Sequence, residues 1–462
     1  MKCLRLALLL SVCGWLLGSC ADDKDDKVEP ASVTLPTQGV YPLSQSADLD
    51  VLLNQVGNAR YVLIGEASHG TAEFYEWRAA ISRRLIQEKG FSAVAVEGDW
   101  PDLYQVNRYV KGAANGASAE EVLGRFRRWP TWLWANRPVA DFAEWLRIYN
   151  GTRPATSTKI GLYGLDVYGL WDTLEALQRD FPEANQTTRD AISNALACLE
   201  PYEHDEQYYG LAATQRTACT AAVADVLTAV QAQVNAMPAG NEQALNALQN
   251  AQTAVDAERY YRSAARNGTE SWNLRDQHMM ATIDRLASFH GPASKIIVWA
   301  HNTHVGDARY TTMAQSGMLN VGQLARQQHA TEGVVLVGFG SYAGSVVAAP
   351  RWGGPLVNMS LPAARANSWE ALMHQQLGGN KVLLLPEWRR NEALTARRGH
   401  RAIGVEYNPQ EEAGNYVPTD LPNRYDAFLF IDQTHALTPL STDPGELRGT
   451  PPAAATQALR NF

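Results

Sequence analysis

Five side chains stand out for the chemistry they could do together. Gly65-Glu66-Ala67-Ser68-His69-Gly70, Glu97-Gly98-Asp99 and His301-Asn302-Thr303-His304 each end a short apolar run. They supply the carboxylates Glu66 and Glu97 and the imidazoles His69, His301 and His304. A histidine beside a carboxylate suits a general base, because the carboxylate fixes the tautomer and stabilises the imidazolium formed when water gives up its proton. Glu66 and His69 have that spacing. The turn at Gly70-Thr71 opens a helical pattern whose free N–H groups can face an oxyanion. Arg78 lies about two turns inside that helix, so only its long side chain can reach the same place; a surface ion pair is its plainer reading.

The same histidines and carboxylates are also ample ligands for a divalent metal such as zinc. His301-x-x-His304 is not the helical i, i+4 pair of the zinc proteases, and the spacing leaves both chemistries open. A metal-dependent hydrolase or protease and a non-catalytic ligand-binding protein therefore stand beside the metal-free hydrolase. Serine hydrolase chemistry is disfavoured, since the chain has no G-x-S-x-G elbow around Ser68.

The elements that must position these groups alternate. Apolar, β-branched runs at Tyr61-Glu66, Ala93-Glu97, Ile160-Leu165, Lys295-Ala300 and Val334-Phe339 are separated by helical patterns. The first of these patterns carries Phe74, Trp77, Ile81 and Leu85 at spacings of three and four and stops at Gly90. This is the rhythm of an α/β fold, a mostly parallel sheet flanked by helices. Continuous apolar runs are what strands buried on both faces require. Parallel strands bring the three ends to one sheet edge, where open α/β folds place their crevice. Further strands are expected at Val382-Leu385, Ala402-Val405 and Ala427-Ile431. Between about 185 and 290 the composition turns to Ala, Gln, Asn and Arg with no strand-like run, which predicts an inserted helical subdomain. The α/β domain then comprises 41–184 and 291–445.

The N-terminus reads as a processing signal. Lys2 and Arg5 precede an apolar run from Leu6 to Leu17, too short to span a bilayer, followed by Leu17-Gly18-Ser19-Cys20. This resembles the lipobox of bacterial lipoproteins, with residues 1–19 removed and Cys20 lipidated. Residues 20–40 begin with an acidic stretch, Asp22-Asp23-Lys24-Asp25-Asp26, and are expected to form a flexible tether. The protein is thus expected to be exported and lipid-anchored to a bacterial membrane, on the periplasmic or cell-surface face. An oxidising compartment fits Cys198 and Cys219, expected either to form a disulfide or to remain buried thiols. Of 462 residues 40 are basic and 48 acidic, a net charge of −8 with no basic face, which argues against nucleic-acid binding. A hydrophobic fraction of 45% excludes a disordered or fibrous chain.

From about Leu43 to Leu440 the sequence resembles the erythromycin esterase family, in its branch of homologues. The motifs are Leu63-Ile-Gly-Glu-Ala-Ser-His-Gly70, Glu97-Gly-Asp-Trp-Pro-Asp102, Trp129-Pro-Thr-Trp132, Gly164-Leu-Asp-Val-Tyr168, Asn273-Leu-Arg-Asp276, Trp299-Ala-His-Asn-Thr-His-Val-Gly-Asp-Ala-Arg309 and Asn320-Val-Gly-Gln-Leu324. The resemblance implies hydrolysis of a small-molecule ester, the macrolactone of erythromycin-like antibiotics in the best-known members. It implies that His69 activates water, that Glu66 orients it, and that Arg78, Glu97, His301 and His304 shape the site and stabilise developing charge. It also implies metal-independent chemistry in at least part of the family, hence no cofactor. Trp132, with Trp129 and Trp134, is expected either to line a cleft for a bulky lactone or to pack in the core. Asp166 and Tyr168, just past a strand end, are expected as wall residues.

Overall fold

In the computed structural model, strands alternate their side chains between two cores. The described residues are 33–113, 118–215, 218–443 and 445. The expected signal, Cys20 and the tether up to residue 32 lie outside them. The described residues form eleven strands: β1 (Val40–Pro42), β2 (Tyr61–Ile64), β3 (Ala93–Asp99), β4 (Gly161–Asp166), β5 (Ile296–Trp299), β6 (Val334–Ala348), β7 (Val357–Leu361), β8 (Lys381–Leu384), β9 (Arg398–Arg401), β10 (Tyr416–Thr419) and β11 (Ala427–Thr434). Val62 and Ile64, Val94 and Val96, Ile297 and Trp299 face one core with Phe74, Ile81 and Leu85. Tyr61 and Leu63, Ala93 and Ala95, Ile296 and Val298 face the other, with Met279, Met280, Ile283 and Leu286. With helices on both faces, every position of β2 and β5, and of β3 up to Gly98, is buried, which is why they read as unbroken apolar runs.

The sheet order is β1-β8-β11-β6-β2-β5-β3-β4, with β7 paired to β6. All neighbours from β11 to β4 are parallel. β1, β7 and β8 join antiparallel. After β2 the chain passes to β3 and β4, then returns to insert β5 between β2 and β3, and β6 goes down on the far side of β2. Ile64 and Val96 both pair with Trp299, so β2, β3 and β5 run out in register at one edge. Such a reversal of strand order opens a crevice beyond the C-terminal ends.

The helix after β2 spans Ala72–Lys89 and ends on Gly90 in the left-handed conformation, as the spacing of its apolar residues and the glycine predict. Three expectations need correcting. Ala402-Val405 is not a strand; β9 lies just before it, and Ile403 makes only an isolated bridge to Ser68. Part of the expected tether is packed, since Val33 and Leu35 are buried and the Gln376 amide bonds the backbone of both. The helical insertion begins and ends earlier than 185–290. Leu170, Leu174 and Leu177 already share its core with Ile192, Val223, Val226, Ala247 and Ala254. The helix Gly268–His290 packs instead on the sheet. Composition marks where surfaces change, whereas the boundary depends on which face of each helix is apolar.

Inside this lobe Cys198 and Cys219 are disulfide-bonded, with Cα atoms 5.9 Å apart. The bond ties the end of helix Gln186–Leu199 to the start of helix Thr220–Val234. A covalent loop of this length restricts the unfolded chain by about 3 kcal/mol. The double substitution Cys198→Ser, Cys219→Ser is expected to lower stability by about that amount in urea denaturation followed by far-UV circular dichroism; an unchanged midpoint would contradict it.

Candidate active site

The loop after β2 is sewn down on both sides. The Val347 N–H donates to Gly70 O at 3.0 Å and the His69 N–H to Ile403 O at 3.4 Å. A Cβ on Gly70 would sit 1.7 Å from the Val347 carbonyl oxygen, so only glycine lets the two backbones approach. The Tyr75 hydroxyl, one turn into the following helix, donates to His69 O at 2.9 Å. His69 is thereby held with Nδ1 2.8 Å from Glu66 Oε1. The other carboxylate oxygen of Glu66 is 2.8 Å from the Arg78 guanidinium. Arg78 is 0% exposed and lies over the ring of Tyr75 at 4.2 Å and near that of Trp299 at 5.2 Å. It does not touch the cleft and acts on His69 only through Glu66.

β5 delivers the second group. His301 caps the short helix Asn302–Val305, its Nδ1 accepting the Thr303 N–H at 3.3 Å with the Thr303 hydroxyl 2.8 Å away. The His301 N–H donates to Glu97 Oε2 at 2.7 Å. Burial, and the neighbouring His69 with its ring 4.9 Å away, push His301 well below the ordinary histidine pKa. It is therefore a neutral imidazole with its proton on Nε2, and that atom is buried with no hydrogen-bond partner among the described residues.

The third group is a charge network that includes two residues given no role by the sequence reading. Arg275 donates to Asp166 at 2.9 and 2.6 Å, to Glu97 Oε1 at 2.8 Å and to His304 Nε2 at 2.9 Å. Asp276 takes His304 Nδ1–H at 2.9 Å and also accepts the Val321 N–H. Trp272 stacks on the His304 ring at 4.5 Å. Burial opposes ionisation of Glu97, but His304, Arg275 and the His301 N–H hold its carboxyl well below the usual range. The signal for Arg275 and Asp276 was present in Asn273-Leu-Arg-Asp276, yet one turn of a polar helix offers no spacing that singles them out.

These groups open on a cleft of about 670 Å³. His69, Glu97, His301, His304, Asp166 and Tyr168 all line it, with aromatic walls from Trp129, Trp134, Trp272, Trp352, Tyr260 and Tyr407. Trp132 does not. It is 0% exposed and belongs to the hydrophobic core. Successive residues of the tight turn Thr131–Leu133 point about 120° apart, so Thr131 and Leu133 reach the cleft and Trp132 turns inward. Among the described residues, no group of three or more His, Cys, Asp or Glu side chains is arranged to hold a metal ion.

Asp99 is a further cleft residue that sequence reasoning passed over. Burial and the carboxylates of Asp166, Asp172 and Asp102 push it up to about 8 against the pull of Arg128, whose Nε lies 2.8 Å away. The folded protein therefore keeps a proton that the unfolded chain releases near pH 4. Asp99 contributes stability that is complete below that pH and is lost as the pH rises toward 8. Asp99→Asn is expected to flatten this decline; equal slopes of unfolding midpoint against pH for the two proteins would refute it.

The erythromycin esterase family profile matches residues 86–434. Glu66, His69 and Arg78 precede that span and rest on the geometry above. Erythromycin esterase type II of Escherichia coli is 26% identical over 133 residues, and the chain spans only 29% of that relative's length and of its own in the match. Among solved structures, a protein from Bacillus cereus superposes with a TM-score of 0.69 at 19% identity, covering 89% of this chain and 96% of its own. A succinoglycan biosynthesis protein gives 0.67 at 18%, covering 87% and 96%. A variant of the erythromycin esterase EreC in an open conformation gives 0.60 at 17%, covering 85% and 95%. The three structures share the fold of this chain. With three quarters of its length matched by the profile, the chain belongs to the erythromycin esterase family, and that membership implies a hydrolase.

Proposed function

We propose that the protein hydrolyses carboxylic esters, erythromycin-type macrolactones among them, using water activated by His69. The observation that carries this reading is the Glu66–His69 pair, with Nδ1 bound at 2.8 Å and Nε2 left for the cleft. Water gives its proton to Nε2 as its oxygen attacks the ester carbonyl, and Glu66 stabilises the imidazolium through Nδ1. Arg78, 2.8 Å from its second carboxylate oxygen, holds Glu66 oriented toward His69. The neutral His301, with its proton on Nε2, is suited to donate to the oxyanion of the tetrahedral intermediate. That intermediate collapses by expelling the alcohol, which takes the proton back from His69. Arg275, Glu97, Asp166 and Asp276 fix His304 and the crevice wall. Volume and aromatic lining suit a bulky, largely apolar ester.

The lipobox-like Leu17-Gly18-Ser19-Cys20 supports export and anchoring through a lipid on Cys20, and the disulfide suits an oxidising compartment. Among the described residues no helix is long and apolar enough to cross a membrane.

A soluble form beginning after Cys20 is expected to hydrolyse p-nitrophenyl esters or a macrolactone in the presence of a chelator. His69→Ala is expected to lower kcat/KM by about 10³-fold and Glu66→Gln by about 10²-fold. Full activity in His69→Ala would refute the base, and loss of activity on chelation would favour metal chemistry. In cells, Cys20→Ala is expected to move the protein from the membrane fraction and to abolish labelling by a fatty-acid analogue; a membrane-bound variant would refute the anchor.

A further inference from the structure

A further buried imidazole–carboxylate pair lies outside the cleft, and the proposed reaction does not use it. His400, on β9, donates Nδ1–H to Glu370 Oε1, which also accepts the Arg401 N–H at 3.0 Å. His400 and Glu370 are 1% and 0% exposed. The other ring nitrogen, Nε2, accepts the Asn302 amide Nδ2 at 3.2 Å and has the Tyr425 hydroxyl at 3.4 Å. The remaining charged neighbours of the ring are Arg401 and Arg424; burial, aided by these cations, holds His400 below the ordinary histidine pKa despite Glu370. The ring is thus neutral, with its proton on Nδ1 and a lone pair on Nε2.

Asn302 sits between His301 and His304 in sequence and reaches across the end of β2. Its Nδ2 donates to Phe339 O at 2.7 Å and its Oδ1 accepts the Phe339 N–H at 3.3 Å, so the amide pairs with β6 as a strand residue would. The space it uses is that of a missing side chain. A Cβ on Gly65 would lie 2.1 Å from Asn302 Oδ1. Its backbone N–H donates to Glu66 O at 2.8 Å, and its carbonyl accepts from Arg424 at 2.8 Å. One residue therefore ties the ends of β2 and β5 to the middle of β6, and its amide can face only one way while His400 offers a lone pair.

We propose that the Glu370–His400–Asn302 relay is a positioning device for the active site: it fixes the Asn302 amide and thereby the placement of Glu66 and His301 relative to His69. None of the three residues lines the cleft, so the relay acts through Glu66 and His301 alone. The consequence for rate rests on His69 being the base, but the consequence for geometry does not, and the two can be measured separately.

The test compares His400→Leu, which removes the acceptor, His400→Gln, which carries an acceptor at the reach of Nε2, and Asn302→Asp, which keeps shape but loses the donors. Two readouts are taken on each: kcat and KM for a p-nitrophenyl ester, and the titration of His69 followed by imidazole NMR. His400→Leu and Asn302→Asp are expected to lower kcat by about 10²-fold with KM unchanged and to shift the His69 titration, whereas His400→Gln restores both. A His69 titration identical to wild type in Asn302→Asp overturns the relay, whether or not the protein hydrolyses the ester. So does an equal loss in His400→Gln and His400→Leu, which would make the residue a matter of packing. Should His400→Leu fail to fold, the isosteric Asn302→Asp carries the comparison.

Discussion

Everything at this site hangs on one buried carboxylate shared between two bases. Glu66 is 1% exposed, with one oxygen on His69 and the other on Arg78. A carboxylate so placed loses its hydration and needs charged or hydrogen-bonding partners in exchange. Arg78 supplies the cationic partner, its guanidinium 2.8 Å from the second carboxylate oxygen. It is itself withdrawn from water, and aromatic faces of Tyr75 and Trp299 replace part of its hydration. Breaking such a pair from one side leaves an uncompensated buried charge, which costs several kcal/mol. The structural and chemical demands on these residues therefore cannot be separated.

Bringing that pair against His301 and Glu97 is the work of topology. Had β5 been added outside β4, His301 would lie several strand spacings from Glu66. Its return to the gap between β2 and β3 makes the ends neighbours, and the shared register at Trp299 sets them level. Two glycines then permit what side chains would forbid, Gly65 beneath the Asn302 amide and Gly70 against the Val347 carbonyl. Short strands buried on both faces give this edge its rigidity, since their residues alternate between two packed cores.

That much was legible in the sequence because it is local. Apolar runs marked β2, β3, β5 and β6, and the polar residues at their ends marked the crevice. What escaped depended on direction or on partners remote in the chain. Trp132 and Trp134 look equivalent as letters, yet a tight turn sends one inward while the other donates its indole N–H to Glu97 O at 2.9 Å. Arg275 meets Asp166 and Glu97 only because helix Gly268–His290 crosses the sheet end. The same helix defeated the domain boundary, since its Met279 and Ile283 face the sheet although its composition matches the lobe. Asp99 needed the spatial convergence of Asp166 and Asp172 to become unusual.

Imidazole–carboxylate pairing is itself no mark of catalysis in this chain. His69 with Glu66, His304 with Asp276, His400 with Glu370 and His278 with Asp256 all use Nδ1 in the same way. The second nitrogen separates them. In His304 it accepts from Arg275, in His400 from Asn302, and in His278 it lies buried without a partner. Of these four, His69 has its Nε2 placed for the cleft without a protein donor or acceptor to occupy it. A general base must exchange its proton with substrate, so an imidazole engaged at both nitrogens can orient or support but cannot turn over. That distinction, invisible in a Glu-x-x-His or His-x-x-His pattern, supports His69 over His304 and His400 as the proposed base, while His278 does not line the cleft at all.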